Sequence, residues 1–209
     1  MTDFAGLLEG YRRFRGEDWY RQRARWTELA EGQSPKLMVI ACSDSRVDPA
    51  QIFDTSPGEM FVVRNVANLV PPFEKGGGRH GVSAALEFAV TQLEVPEIVV
   101  MGHGQCGGIS AALSRRFEGA RPGEGGFIAH WVDLLDEARD RVLASHGEHA
   151  TETLEFEAVK VSLANLRSFP CVAARESEGK LTLHGAHFAI ADGILRLLDE
   201  ESGIFQPVG

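Results

Sequence analysis

The stretch KLMVIACSDSR, residues 36–46, decides the fold. Its first half, Lys36 to Ala41, is a short apolar run without alternating wet and dry positions, so it reads as a strand buried on both faces of a parallel sheet. The run stops abruptly at Cys42 to Arg46, which becomes a loop at the strand's C-terminal end. Asp48 followed by Pro49 then marks a helix start. The aspartate caps free backbone N–H groups, and proline at the first helical position has no N–H to leave unpaired. A short helix through Phe53 is expected.

The same grammar extends outward from this unit. EMFVV at 59–63 reads as a second strand, followed by RNVAN at 64–68, whose polar ends do not suit a strand interior. Pro71, Pro72 and the glycines at 76–78 mark an irregular loop before a helix over 82–93. EIVVM at 97–101 is a third strand, and GHGQCGG at 102–108 follows it and opens a helix over 109–117. Residues 127–144 and 151–168 read as helices and PCVAA at 170–174 as a fourth strand. Residues 187–191 and 194–198 flank Asp192-Gly193, a two-residue hairpin signal. Upstream, 3–15 and 17–30 read as two helices. The expected fold is α/β: a mainly parallel central sheet with flanking helices, an N-terminal helical arm and a C-terminal antiparallel hairpin. With 209 residues, no internal repeat and no linker long enough to divide it, the chain reads as one domain, 1–209, with residues 1–30 as an arm at a subunit interface.

Composition narrows the function. The chain carries 21 Lys plus Arg against 30 Asp plus Glu, a net charge of −9, the opposite balance to that of a general nucleic-acid binder. Arg12, Arg13, Arg15, Arg21, Arg23 and Arg25 do cluster. They are interleaved with Phe4, Leu7, Leu8, Tyr11, Phe14, Trp19 and Trp26, the pattern of amphipathic helices packed on the body or on a partner subunit. No apolar run approaches the roughly 18 residues that span a bilayer, and no signal-peptide pattern opens the chain, so no membrane association and a cytoplasmic location are expected. Three cysteines cannot all pair, and in a reducing compartment a functional cysteine is more often a ligand or a nucleophile than half of a disulfide.

Two of those cysteines, Cys42 and Cys106, lie in loops at the C-terminal ends of predicted parallel strands, where open α/β sheets place their ligands. His103 precedes Cys106 by three positions, so both side chains can turn toward one ion that Cys42 approaches from the neighbouring strand. Three such ligands fit zinc with a fourth position left open. The same residues also fit buried thiols and a hydrogen-bonded histidine. Cys171, within a predicted strand, reads as a packed core thiol. Asp44 and Arg46 read equally as a catalytic pair or as an ion pair that stabilises the loop.

CSDSR at 42–46, followed 61 positions after its cysteine by His103-x-x-Cys106-Gly-Gly, with RNVAN and GVSAALEF (81–88) between them, resembles the β-class carbonic anhydrases. The likeness runs from about Gln33 to Ile109 and continues more weakly through the hairpin. It implies reversible hydration of CO2 to bicarbonate and a proton by zinc-bound hydroxide, with Cys42, His103 and Cys106 on Zn2+ and Asp44 with Arg46 as the catalytic dyad. Two thiolates and a neutral imidazole cancel the charge of Zn2+, so the bound water is expected to be less acidified than at an all-histidine site. The resemblance further implies that Gln33, nine residues before the first cysteine, donates to a bicarbonate oxygen across a subunit boundary. It also implies that Phe61, Val66 and Phe88 form an apolar wall and that Gly107 lines the substrate position, although all three apolar residues fit an ordinary core equally well.

One branch of the family is gated by bicarbonate through a tryptophan three residues before the first cysteine, the arginine of the Arg-Asn-x-Ala-Asn motif and a C-terminal tyrosine. This chain has Val39 at the first position and keeps Arg64, but its tyrosines are Tyr11 and Tyr20 alone, so the resemblance is to the plant-like, non-gated branch. A homodimer or a dimer of dimers is implied. The competing readings are a hydrolase of CS2 or COS on the same fold and a non-catalytic zinc or bicarbonate sensor, the latter disfavoured because Asp44 and Arg46 are both present.

Overall fold

A computed structural model describes residues 3–76, 78–119, 123, 126–145 and 147–209. They form two compact units, 1–34 and 35–209. In the first, Asp3 caps α1 (Phe4–Arg13), its Oδ1 accepting from Gly6 N at 2.8 Å. The chain passes through a wide helical turn, Phe14–Asp18, into α2 (Trp19–Arg21) and α3 (Arg23–Glu31). The break expected near Gly16 is therefore absorbed by a widened turn. Phe14 meets Trp26 edge to face at 5.7 Å, and the Arg15 guanidinium lies 4.0 Å over Trp19. Phe4, Leu7, Leu8 and Tyr11 stay exposed.

The second unit is built on a six-stranded sheet in the order β2-β1-β3-β4-β5-β6. β1 (Leu37–Cys42) pairs in parallel with β2 (Met60–Asn65) and β3 (Glu97–His103), and β3 pairs in parallel with β4 (Thr182–Ala189). β5 (Ile194–Asp199) and β6 (Ile204–Pro207) continue the sheet antiparallel. The helices are α4 (Pro49–Ile52), α5 (Gly81–Thr91), α6 (Gly107–Leu113), α7 (Gly126–Val132), α8 (Asp136–Ser145), α9 (Ala150–Arg167) and α10 (Pro170–Ser177). None of the described helices is long and apolar enough to cross a membrane.

β1 is buried from Met38 to Cys42, as its unbroken apolar run requires. On one face Met38, Ile40, Ile98 and Val100 pack against Leu86 and Val90 of α5, Leu163 and Leu166 of α9 and Val172 of α10. The other face holds a smaller cluster of Val39, Ala41, Met101 and Ala186. Beyond the strand ends a third cluster joins Cys42 and Cys106 to Ile109, Leu135, Ala138 and Leu154. Each fully buried leucine here contributes about 1.5–3 kcal/mol relative to exposure.

The structure corrects several expectations. Residues 170–174 are not a strand but the start of α10, because Pro170 occupies its first turn and the buried positions Phe169 and Val172 are three apart instead of alternating. The fourth strand is instead β4. It starts at Thr182, earlier than the predicted hairpin limb, and its first residues were concealed because Gly185 and two histidines interrupt the apolar pattern. The hairpin loop has four residues, Ile190 to Gly193, closed by Gly193 N donating to Ala189 O at 2.9 Å, with Gly193 at φ 74°. β2 runs on through Arg64 and Asn65, whose side chains find partners described below. β6 was not anticipated, α6 ends at Leu113, and a 3₁₀ turn at Asp133–Leu135 divides the helix expected over 127–144.

Candidate metal centre

Three side chains converge where β1 and β3 end. Cys42 closes β1, His103 closes β3, and Cys106 caps the start of α6 after a tight turn in which Gln105 takes φ 58°. Their ligand atoms all lie within 4.8 Å of one another, and the two Sγ atoms are 3.9 Å apart. Tetrahedral zinc with sulfur at about 2.3 Å puts two sulfurs roughly 3.8 Å apart, so the pair already stands at ligating separation. His103 Nδ1 is 2.9 Å from Gly104 O, and because a carbonyl only accepts, the ring proton sits on Nδ1. Nε2 is left with its lone pair, buried and without a hydrogen-bond partner. Two adjacent sulfurs and an orphaned imidazole nitrogen are what a zinc ion completes.

The electrostatics agree. The hydrogen bond from Cys106 pulls the Cys42 thiol down to about 4 against the opposing effect of burial, with further help from His103 and from the backbone of Asp44 and Ala67. The same hydrogen bond, with burial, pushes Cys106 up. The pair thus behaves as a thiol and a thiolate sharing one proton, and a cation displaces that proton. Burial lowers His103, but the adjacent Cys42 sulfur and its charge outweigh it, and the net direction is upward.

Asp44 stands at the mouth of this group. Arg46 Nε donates to Oδ1 at 2.9 Å, its Nη2 to Oδ2 at 2.7 Å, and its backbone N to Oδ1 at 3.0 Å. This grip holds the carboxyl well below the usual carboxylate range. Oδ2 lies 4.0 Å from His103 Nε2. Arg46 Nη2 also donates to Gln105 O at 3.0 Å, so the pair ties the Cys42 loop to the Cys106 turn and presents an ionised oxygen to the centre.

The loop is held from below by a residue the sequence reading had not given this task. Arg64 Nε donates to Cys42 O at 2.9 Å, its Nη2 to Asp44 O at 2.7 Å and Val47 O at 3.2 Å, and its Nη1 pairs with Asp48 at 3.2 Å. The Asn65 amide brackets Leu69, donating to its O and accepting from its N at 2.9 Å each, which closes a turn with Ala67 and Asn68 at φ 63° and 50°. Those polar residues at a strand end were the available signal. From the other side, Glu155 of α9 accepts from Cys106 N at 3.1 Å.

The remaining predicted positions divide. Val66 packs against Gly108, two residues past Cys106, where a Cβ would meet its Cγ1 at 2.7 Å, and Gly107 opens α6 next to Cys106 with open space at its Cβ position. Phe61 and Phe88 pack on each other at 5.9 Å. Phe61 lies four residues before the end of β2, about 13 Å back along the strand. Gln33 is exposed in the unit 1–34. Cys171 lies half-buried in α10, its thiol pushed up by burial, and Val39 is fully buried in the sheet.

Sheet order and a cysteine, histidine, cysteine group at adjacent strand ends define an α/β metalloenzyme. The carbonic anhydrase family model matches residues 37–195. The chain is 38% identical over 204 residues to a carbonic anhydrase of Pseudomonas aeruginosa, covering 95% of this chain and 89% of that protein. Among solved structures, the β-carbonic anhydrase CcaA superposes with a TM-score of 0.91 at 30% identity, covering 99% of this chain and 100% of that one. A structure from a study of two tetrameric β-carbonic anhydrases of Sordaria macrospora gives 0.78 at 27% identity, covering 94% and 96%. The chain belongs to the β-class carbonic anhydrases, zinc enzymes of CO2 hydration, and its Cys42, His103 and Cys106 form a group able to bind the metal.

Proposed function

We propose that Cys42, His103 and Cys106 hold the zinc and that Asp44, kept ionised and aimed by Arg46, directs the attack on CO2. The observation that carries this reading is the Asp44 carboxylate, gripped through both oxygens by Arg46 while Oδ2 stands 4.0 Å from the orphaned His103 Nε2. Zinc bound there would supply a Lewis acid that acidifies a water, though less than an all-histidine site does. Asp44, acceptor-only when ionised, takes the hydrogen bond from the nucleophile's O–H and leaves its lone pair facing CO2. Arg46 holds that carboxylate charged and turned aside, which favours a resting site open to substrate without bicarbonate gating. Val66 gives apolar CO2 a dry wall, and Gly107 leaves space beside Cys106.

Phe61 and Phe88 are too far back to serve the centre of their own chain, so a wall built from them serves a second copy. Gln33 then donates to bicarbonate across the same boundary. The chain acts as one domain in a homodimer or a dimer of dimers, with the exposed apolar face of α1 in the interface. Three free cysteines suit the cytoplasm. Stopped-flow CO2 hydration on metal-quantified protein tests the site. Asp44→Asn is expected to keep zinc and lose activity by about 100-fold or more, and near-parental turnover would reduce the pair to a loop brace.

A further inference from the structure

Behind the metal group lies a polar pair that the reaction does not use. Glu155 is 4% exposed and His187 of β4 is 1% exposed. A buried carboxylate is costly unless its oxygens are paired, and here both are. Oε1 accepts from Cys106 N at 3.1 Å, and Oε2 is 3.3 Å from His187 Nε2, which donates to it. The imidazole is held edge-on against Phe156, ring centroids 4.7 Å apart, and its Nδ1 is buried without a hydrogen-bond partner. There is no slack. A Cβ on Gly102 would lie 2.8 Å from Val159 Cγ2 and 3.6 Å from both Glu155 O and His187 Cδ2.

The amide that Glu155 holds belongs to the residue whose sulfur enters the centre. The rest of the turn is already fixed: Gly104 N donates to Phe188 O at 2.9 Å, Gly104 O accepts from His103 Nδ1, and Gln105 O accepts from Arg46. Cys106 N is the anchor nearest the sulfur. It is secured by a buried carboxylate reaching across 49 positions of sequence. A peptide free to rotate at this point would carry Sγ away from its 3.9 Å spacing to Cys42 Sγ.

We propose that Glu155 and His187 are positioning residues for the metal centre: the carboxylate, itself aimed by the imidazole, holds the Cys106 amide and so sets where Cys106 Sγ meets the other two ligands. The inference rests on the metal reading above and extends it to two residues that touch neither metal nor substrate.

The test is zinc affinity of the full chain by chelator competition, together with the visible absorption of the cobalt-substituted protein. Glu155→Ala leaves the Cys106 amide unpaired, and it is expected to weaken zinc by about 10–100-fold and to alter the cobalt spectrum. Glu155→Gln, whose amide oxygen still accepts from Cys106 N, recovers most of that loss. His187→Ala weakens zinc less than Glu155→Ala, and His187→Gln, with an N–H near the place of Nε2, restores it. Alanine variants that bind zinc like the parent with an unchanged cobalt spectrum overturn the proposal, as does Glu155→Gln losing as much as Glu155→Ala. Should Glu155→Ala fail to fold, the two His187 variants decide. A parent chain that binds no zinc refutes the metal reading itself, whereas a zinc-binding parent with indifferent variants refutes the positioning role alone.

Discussion

The two cysteines of the centre are supported in opposite ways. On the Cys42 side, the loop from 42 to 48 is held by guanidinium groups: Arg46 reaches back two residues and Arg64 rises from β2 to bind three of the loop's carbonyls. These donors are partly in water, with Arg46 at 46% and Arg64 at 28% side-chain exposure. On the Cys106 side, Arg46 reaches only Gln105 O, and the cysteine's own amide is held by a buried carboxylate from α9. The side that presents Asp44 to substrate is thus made of charges that water can reach, and the side that fixes geometry is made of groups sealed from it. Screening weakens the first kind of contact, while an unpaired group in the second costs its full desolvation.

The comparison breaks most completely if the sulfurs themselves are exchanged. Cys42→Ser and Cys106→Ser should each lose zinc on purification, and Cys171→Ser, in α10, should keep it, as elemental analysis of the three proteins will show. Equal zinc in all three would remove the centre from this site.

A smaller effect sharpens the Cys42 side. Arg64→Ala strips donors from Cys42 O, Asp44 O and Val47 O, and urea denaturation should show a loss of about 2 kcal/mol or more. Arg64→Lys should recover little, because an ammonium cannot span carbonyls arranged for a planar fork.

The smallest effect tests the Cys106 side at its periphery. Asp140 of α8 accepts from Arg139 at 3.0 Å and from Arg115, just past α6, at 3.3 Å. The Arg139 hydrogen bond holds its carboxyl below the usual carboxylate range. A depressed folded value means that the contribution is present above the unfolded value near about 4 and is lost as pH falls through the folded one. Asp140→Asn should therefore shift the urea midpoint slightly at pH 6 and less with each step down below about pH 4, with zinc content unchanged. A shift that grows on acidification would contradict the sign.

The ligand set was legible in the sequence because it depends on local spacing and strand ends, which short motifs encode. The contact between Arg46 and Asp44 was legible for the same reason, the two being two residues apart. β4 was hidden because His184, Gly185 and His187 break an apolar run, although each is accommodated by contacts outside the strand, such as His184 with Glu97 at 3.0 Å. PCVAA misled because a short apolar run is the same for strand and helix, and the proline at its head favoured the helix. Glu155 was missed although a signal existed: it lies beside Leu154 and three residues before Ala158 on the buried face of α9, where an acid is out of place. What no local pattern supplied was its destination, the amide of a turn 49 residues earlier.

Gly102 carries a consequence for how this sequence can drift. Because even a methyl there would press Val159 at 2.8 Å, the position is closed by volume, one residue before the end of β3, where backbone geometry alone would admit many residues. Val159 is β-branched and fully buried, so it cannot easily swing aside. The two sites are therefore expected to change hands together: Gly102→Ala is tolerated in company with Val159→Ala and not alone. A lineage that enlarged only one of them would push α9 off the sheet and carry Glu155 away from the cysteine whose amide it holds.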